Sequence, residues 1–304
     1  LLVVLEPLDE ALNARLFAAR DTGPVSLTSA LQVLRAQFPA GTSFVMRPPR
    51  EPGESLRAIV RGPWAGTVFL HPTTGQELGR RGEGEGFFEF LFVFHSSLFA
   101  GETGKAVLTL GALGYLLMLV SGLVLWWPAR WRAGLTVRTG AGFARSIFDL
   151  HRAGGVLFGL AVGISVASGA YMAWHPIAQW VSQATGQAPL RPPVVPPSTA
   201  PAVPLDAAVA RAQALFPDGR IGYVQVPASD RFPLRVRLKL PDDPHPNGLT
   251  SVWLHPRSGE VLAAHRWSAL DLGTRAYSFI YPLHIGTLGG TPVLVATLAA
   301  GMLL

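Results

Sequence analysis

The sequence contains no cysteine, so disulfide bonds, thiolate metal ligands and cysteine nucleophiles are excluded within these 304 residues. Charged side chains are scarce, at 14% of residues. No hydrolase triad, Walker loop or GxGxxG after a strand is present, so nucleotide chemistry would have to come from elsewhere. Hydrophobic residues, by contrast, make up 49% of the chain. This composition predicts a membrane protein that carries soluble parts.

Two long apolar runs contain no charged residue. They occupy 106–127 and 153–174, and each is 22 residues long. A helix of that length extends about 33 Å, enough to cross the hydrocarbon core of a bilayer. A third uncharged run covers 276–304, and Thr291-Pro292 inside it is a helix-start signal, so the last span is predicted to begin there.

The connection between the first two runs is basic and short. Its charged residues are five arginines and one acid, namely Arg130, Arg132, Arg138, Arg145, Arg152 and Asp149. Short basic loops remain in the cytoplasm, so the stretches on either side of the two spans are predicted to lie outside. The net charge of +6 therefore comes partly from this loop and does not indicate nucleic-acid binding.

The chain repeats itself. The segment LTSALQVLRAQFP at 27–39 returns as LDAAVARAQALFP at 205–217, and FLHPTTGQELG at 69–79 returns as WLHPRSGEVLA at 253–263. FHSSLFAG, which contains His95, returns as LHIGTLGG, which contains His284. A duplicated unit that repeats a histidine at the same membrane level suggests a paired-ligand site.

The repeat also bears on the start of the chain. Pro7 aligns with Pro176, which follows the span 153–174, so residues 1–5 are interpreted as the stub of a transmembrane helix whose first part is absent. We therefore interpret the sequence as an internal fragment of a longer membrane protein.

Each outer stretch reads as a small α+β unit. A capped helix at 27–38 is followed by strands in which Leu56, Ala58 and Val60 alternate with arginines, and the HPTTG and HPRSG segments read as hairpin turns. The predicted divisions are, in chain order, the helix stub at 1–5, outer domain 1 at 6–86, an interfacial segment and elbow at 87–105, a transmembrane helix at 106–127, a cytoplasmic loop at 128–152, a transmembrane helix at 153–174, an outer segment with a Pro-rich linker at 175–204, outer domain 2 at 205–275, and an interfacial segment with the start of the last helix at 276–304.

Several segments of the chain together carry a family resemblance, namely HPTTGQELG and HPRSGEVL, FHSSLFAGETG leading to SGLVLWWP, LHRAGG, and YPLHIGTLGG. The sequence resembles the PepSY-associated transmembrane family, often called iron-regulated membrane proteins. The resemblance implies an α+β membrane protein with four transmembrane helices, of which the first is lost and the last truncated here, and two duplicated extracytoplasmic PepSY-like domains. It also implies a bacterial inner-membrane location, with both large domains periplasmic. Some relatives carry a flavin reductase part beyond the last helix.

The resemblance implies haem b, two in the full-length protein, held between transmembrane histidines. Electrons would pass from a cytoplasmic or quinol donor to a ferric siderophore or another periplasmic acceptor. Its expected iron ligands are His95 and His284 on the outer side and His151 on the inner side, where the partner would lie in the lost helix. No nucleic-acid partner is expected.

Considered without the family, each histidine also has a simpler interpretation. A histidine near a membrane interface is usually a structural hydrogen-bonding group, and Gly154, Gly155, Gly159 and Gly163 near His151 are more simply a helix-packing stripe. Arg152 is either a positive-inside anchor or a partner of a haem propionate.

The span containing His95 is long. It would exceed the bilayer if it were one helix through Trp127, so an elbow is predicted at 101–105. That leaves His175, at the outer end of the second visible span, as a rival ligand of the outer haem.

The remaining histidines have other expected roles. His71 and His255 are expected to stabilise turns, and His245 and His265 to be solvated. Arg235, Arg237 and Lys239 are either a docking face for an anion or a solvated strand face.

The predicted function is that of a haem b electron-transfer protein of the ferric-siderophore reductase type. Two alternatives have no redox role: a PepSY binding module that restrains a protease or senses an envelope ligand, and a transport-associated scaffold in iron uptake. The lack of intramembrane charge in 106–127 and 153–174 weighs against an ion carrier.

Overall fold

A computed structural model describes residues 2–19, 23–127 and 134–288, with side chains from Pro7 onward. Two compact units share the chain. The first, here the sheet unit, comprises Leu1–Phe94 and Val181–Ser278, and the second, here the helical unit, comprises His95–Trp180 and Phe279–Leu304.

The sheet unit is built on one antiparallel sheet of eight strands in the order β4-β3-β2-β1-β5-β6-β7-β8. The strands are β1 (Ser43–Arg47), β2 (Leu56–Arg61), β3 (Gly66–Leu70), β4 (Glu77–Gly82), β5 (Arg220–Val226), β6 (Leu234–Lys239), β7 (Thr250–Leu254) and β8 (Val261–His265). Helices α1 (Leu2–Leu12), α2 (Ala14–Phe17) and α3 (Leu27–Gln37) precede β1, α8 (Leu205–Leu215) precedes β5, and a short 3₁₀ turn (Trp267–Ala269) follows β8.

Helix α3 forms where the sequence predicts it. Ser26 caps its first turn by accepting a hydrogen bond from the Ser29 amide at 3.2 Å. Leu27, Leu31 and Leu34 are buried at helical spacing against the sheet. Burying such a leucine contributes about 1.5–3 kcal/mol.

The two groups of four strands meet along β1 and β5. Met46 lies opposite Val224 in this ladder, and neither side chain has any exposed surface. Both groups therefore share one sheet and one apolar core. This shared sheet is not apparent from the sequence pattern, in which the outer parts form two separate domains.

The two HP turns are stabilised by their histidines, as predicted. Nδ1 of His71 accepts hydrogen bonds from the amides of Thr73 and Thr74, both at 3.3 Å. His255 does the same for the amides two and three residues on, at 3.1 and 3.2 Å. Gly75 has φ +73° in the first turn, a left-handed conformation that glycine adopts without strain.

The expectation that His245 is solvated is wrong. Its ring is 3% exposed and stacks on Tyr277 with 5.5 Å between ring centres. The loop around it, 241–248, is held by the buried carboxylate of Asp243, which accepts hydrogen bonds from the His245 amide at 2.9 Å, the Leu249 amide and the Ser278 hydroxyl at 3.1 Å. His265 is half-buried in β8.

Among its described residues, the helical unit contains two helices long and apolar enough to cross a membrane, α5 (Gly101–Trp126) and α6 (Phe143–Ala173). Many of their large apolar side chains are exposed, including Leu117 at 72% and Leu160 at 67%, as expected of surfaces that face lipid. Helix α6 begins ten residues earlier than the predicted span, so the basic connection is shorter than 128–152.

An elbow separates α4 (Phe87–Ser97) from α5, but not at the predicted place. Leu98, Phe99 and Gly101 have φ of +51°, +58° and +53°, so the chain breaks at 98–101 and residues 101–105 begin α5. Gly104 permits the sharp turn, because a side chain there would collide with the carbonyl oxygen of Ser97.

Two further helices complete the described chain, α7 (His175–Ala184) and α9 (Leu272–His284). Helix α1 runs across the predicted boundary between residues 5 and 6. The predicted start of the last span at Thr291 lies outside the described residues.

Candidate functional site

His95 and His284 lie side by side in the helical unit. Their ring centres are 5.9 Å apart and the ring planes are inclined by 27°. His95 comes from the last turn of α4, just before the elbow, and His284 ends α9. The structure therefore brings together the two histidines that the repeat made equivalent, although 189 positions separate them.

Hydrogen bonds fix the orientation and tautomer of His284. Nδ1 lies 3.0 Å from the carbonyl oxygen of Ser165 and 3.1 Å from the hydroxyl of Ser168, which itself donates to the same carbonyl at 2.9 Å. Both partners of Nδ1 are thus acceptors, so Nδ1 carries the proton. The lone pair is then on Nε2, the arrangement that a metal-ligating histidine requires.

Gly169 makes room for this imidazole. A Cβ atom at Gly169 would lie 2.9 Å from Cε1 of His284, closer than real Cβ atoms come. Helix α6 therefore supplies a carbonyl, a hydroxyl and a gap within five residues, all directed at one ring. The sequence pattern did not predict a role for Ser165, Ser168 and Gly169, because a serine pair within an apolar helix does not reveal its partner.

The 5.9 Å spacing of the two rings is compatible with a shared metal. Two imidazoles that ligate one metal from opposite sides, each with a metal–nitrogen distance of about 2 Å, have ring centres about 6 Å apart. Packed aromatic rings show similar separations, so the distance alone does not select a metal. The second observation is the hydrogen-bonded Nδ1 of His284, which leaves Nε2 available.

The donor set fits haem better than an ion bound by protein alone. Among residues 2–19, 23–127 and 134–288, no group of three or more His, Cys, Asp or Glu side chains could hold a metal ion. A structural metal site needs about four protein ligands, whereas haem iron needs only axial ligands from the protein. His95 and His284 could supply these ligands.

His151 and Arg152 lie near the other end of the helical unit. His151 is exposed on α6. Arg152 pairs with Asp149 at 3.1 Å and donates to the carbonyl of Thr136 at 2.9 Å. Asp149 is fully buried and also contacts Arg145 at 3.2 Å. Arg152 is thus held by a neighbouring carboxylate, and the propionate role stays a prediction.

His175 begins α7 and its side chain is exposed.

The four glycines of the stripe on α6 have two different environments. Leu119 of α5 fills the space at Gly159 and Gly163, where an added Cβ would approach it to 2.8 and 2.6 Å. These two glycines are therefore helix-packing residues, as the simpler interpretation holds. Gly154 and Gly155 have no atom within 4 Å of such a Cβ.

The strand face on β6 is not simply solvated. Arg237 is 7% exposed and donates to the Tyr223 hydroxyl and the Gly248 carbonyl. Arg235 stacks on Trp253 at 4.6 Å, and burial, followed by the charge of Arg237, lowers the pKa of Arg235 to about 10. A docking face made of both arginines is therefore not available.

Comparison with known proteins bears on the chain as a whole. No curated protein matches the sequence. The model of the PepSY-associated TM region family matches residues 1–304. With the two long apolar helices, this match identifies a membrane protein. It confirms the resemblance seen in the sequence, and the chain belongs to the PepSY-associated TM region family.

Proposed function

We propose that this protein is a haem b electron-transfer protein in which His95 and His284 would together hold one haem. The observation that carries the proposal is the 5.9 Å approach of the two rings, together with the acceptors around Nδ1 of His284. When bound, haem supplies a one-electron Fe(III)/Fe(II) couple.

The residues of the chain would position and orient the two histidines. The elbow at 98–101 positions His95, and Ser165 and Ser168 hold His284 in the tautomer with a free Nε2. A hydrogen bond from Nδ1 to an acceptor raises the basicity of the ligand and so tunes the potential of the iron. If both imidazoles held the iron, the site would suit electron transfer rather than oxygen chemistry.

The proposed setting is a multi-pass protein of a bacterial inner membrane, with the sheet unit in the periplasm. The basic connection between α5 and α6 supports this orientation. We propose four helices in the full-length protein, an inner haem at His151, and two duplicated PepSY-like domains. A helix followed by four antiparallel strands occurs twice, which supports the duplication.

The proposed acceptor is the iron of a ferric siderophore, with electrons from a cytoplasmic or quinol donor. Reduction to Fe(II) would weaken binding by a siderophore. This step rests on the family resemblance and not on a described contact.

The test is an oxidised-minus-reduced absorption spectrum of the purified full-length protein. We expect a Soret band and the α-band of a low-spin b-type haem, and reduction of a ferric siderophore by the dithionite-reduced protein. A protein that is folded and free of Soret absorption, even when expressed with excess haem precursor, would instead be a binding module or a scaffold.

A further inference from the structure

A groove of about 540 Å³ lies in the sheet unit where the two groups of strands meet. One wall is the face of α8 at Val209 and Ala210, and another is Pro49 and Arg50 after β1. The opposite side is formed by the start of β5 and the end of β6, and Pro246 of the loop 241–248 closes one end.

The loop that forms this end is rigidly attached. Gly222 of β5 lies so close to the Asn247 carbonyl that a side chain at 222 would collide with it. Arg50 donates to the Asn247 side chain from the other wall, and Asp243 binds the loop amides from inside. The groove is therefore a formed feature of the fold rather than a gap beneath a loose loop.

The charge of the groove is unbalanced. Arg50, Arg220 and Lys239 line it, against a single carboxylate, Asp206. The oxygens of Asp206 already accept hydrogen bonds from the amides of Leu27 at 2.8 Å and Thr28 at 3.2 Å. That carboxylate is thus engaged within the fold, and the side chains that line the groove carry three positive charges against its one negative charge.

Two of these cations are placed directly against each other. Arg220 and Lys239 are cross-strand partners in the β5–β6 ladder, an arrangement in which like charges are destabilising. Arg220 is exposed and forms no ion pair with any described residue. Lys239 uses one of its three protons on the Asp243 carbonyl, and Arg50 has five N–H donors, so both retain donors for a ligand.

The titration of His245, beside Pro246, agrees with a positive potential at this end of the groove. Its pKa is lowered to about 3, first by burial and then by the charges of Arg237, Lys239, Arg47 and Arg50. Four cations therefore act on one ring at the edge of the groove.

We propose that this groove binds a small organic anion carrying more than one carboxylate. The cations come from three separate segments, so an anion with several acid groups can pair with more of them than a single acid group can, and the volume of about 540 Å³ exceeds what one inorganic ion fills. The apolar lining at Val209 and Ile221 fits a carbon framework. Binding here does not depend on haem.

The test is calorimetric titration of the full-length protein in detergent, at low salt, with citrate as the probe. Arg220→Gln and Lys239→Gln are each expected to weaken citrate binding about tenfold, the effect of one lost charged hydrogen bond. Arg231→Gln is the matched control, because Arg231 is exposed on the same unit outside the groove and its loss changes the net charge equally.

A second pair of variants tests the cavity without removing charge. Ala210→Trp fills the groove and should abolish binding, whereas Ala207→Trp, exposed on the same helix outside the groove, should not. Circular dichroism checks the fold of each variant. Absence of citrate binding would overturn the proposal, as would equal affinity in Arg220→Gln and Arg231→Gln. Inorganic phosphate that binds as tightly as citrate would overturn the assignment to a polycarboxylate.

Discussion

Thr28 and Asp206 lie 178 positions apart and cap each other's helices. The Thr28 amide donates to the Asp206 carboxylate at 3.2 Å, and the Asp206 amide donates to the Thr28 hydroxyl at 3.1 Å. The same spacing of 178 separates Met46 from Val224, which face each other in the β1–β5 ladder. The contact between α3 and α8 and the contact between β1 and β5 therefore each join equivalent residues of the two repeats. This is the pattern of an isologous interface between two copies of one surface.

Asp206→Ala should destabilise the sheet unit by about 1–2 kcal/mol, because three donors at the start of α3 lose their acceptor. The measurement is the urea concentration at which half of the sheet unit is unfolded, with tryptophan fluorescence as the signal. Asp218→Ala, in the exposed turn after α8, is the control and should leave the midpoint unchanged. Thr28→Ala should also lower the midpoint, because the Asp206 amide at the start of α8 loses its acceptor. An unchanged midpoint in either variant would argue against reciprocal capping.

The buried His245 should make the stability of the sheet unit depend on pH. Burial, then the neighbouring cations, lowers its folded pKa from 6.5 to about 3, so between these values the unfolded chain takes up a proton that the folded chain does not. Stability is complete above pH 6.5 and falls as pH decreases, by up to about 1.4 kcal/mol per pH unit.

His245→Asn keeps an acceptor for the Asn247 amide and should flatten this dependence between pH 6.5 and 5. The temperature at the midpoint of unfolding, measured at several pH values, shows how strongly stability depends on pH. His265→Asn, in β8, provides the comparison and should retain the slope of the wild-type protein. A slope unchanged in His245→Asn would show that another group titrates.

Gly169→Val should displace His284, because a side chain at 169 enters the space of its imidazole. The haem content should fall to the level of His284→Ala while α6 remains helical. Gly114→Val in α5 is the matched control, since no atom lies within 4 Å of the added Cβ. Haem content that is equal in both valine variants would mean that the close approach at Gly169 does not govern the site.

Features determined by local sequence were predicted well. The Ser26 cap, the alternation in β2, the histidines of the two HP turns and the helices through 106–126 and 153–173 each depend on neighbours within a few residues. Their periodicity and turn chemistry are visible in one stretch of chain.

Features that depend on distant contacts were missed or misjudged. Nothing in β1 alone indicates that its free edge pairs with β5. The Pro-rich loop 241–248 looks solvated, yet Asp243 satisfies its amides and allows His245 to be buried. The approach of His95 to His284 was anticipated through the repeat, whereas the contacts of Ser165, Ser168 and Gly169 were not, since serines within an apolar helix do not show which distant residue they contact.

The central claim is that His95 and His284 share one haem, and haem per protein in purified full-length variants tests it most directly. His95→Ala and His284→Ala should each lose the same haem, the double variant should lose no more than either, and His175→Ala should lose none. Unchanged haem content in both single variants, or a loss in His175→Ala instead, would contradict the claim.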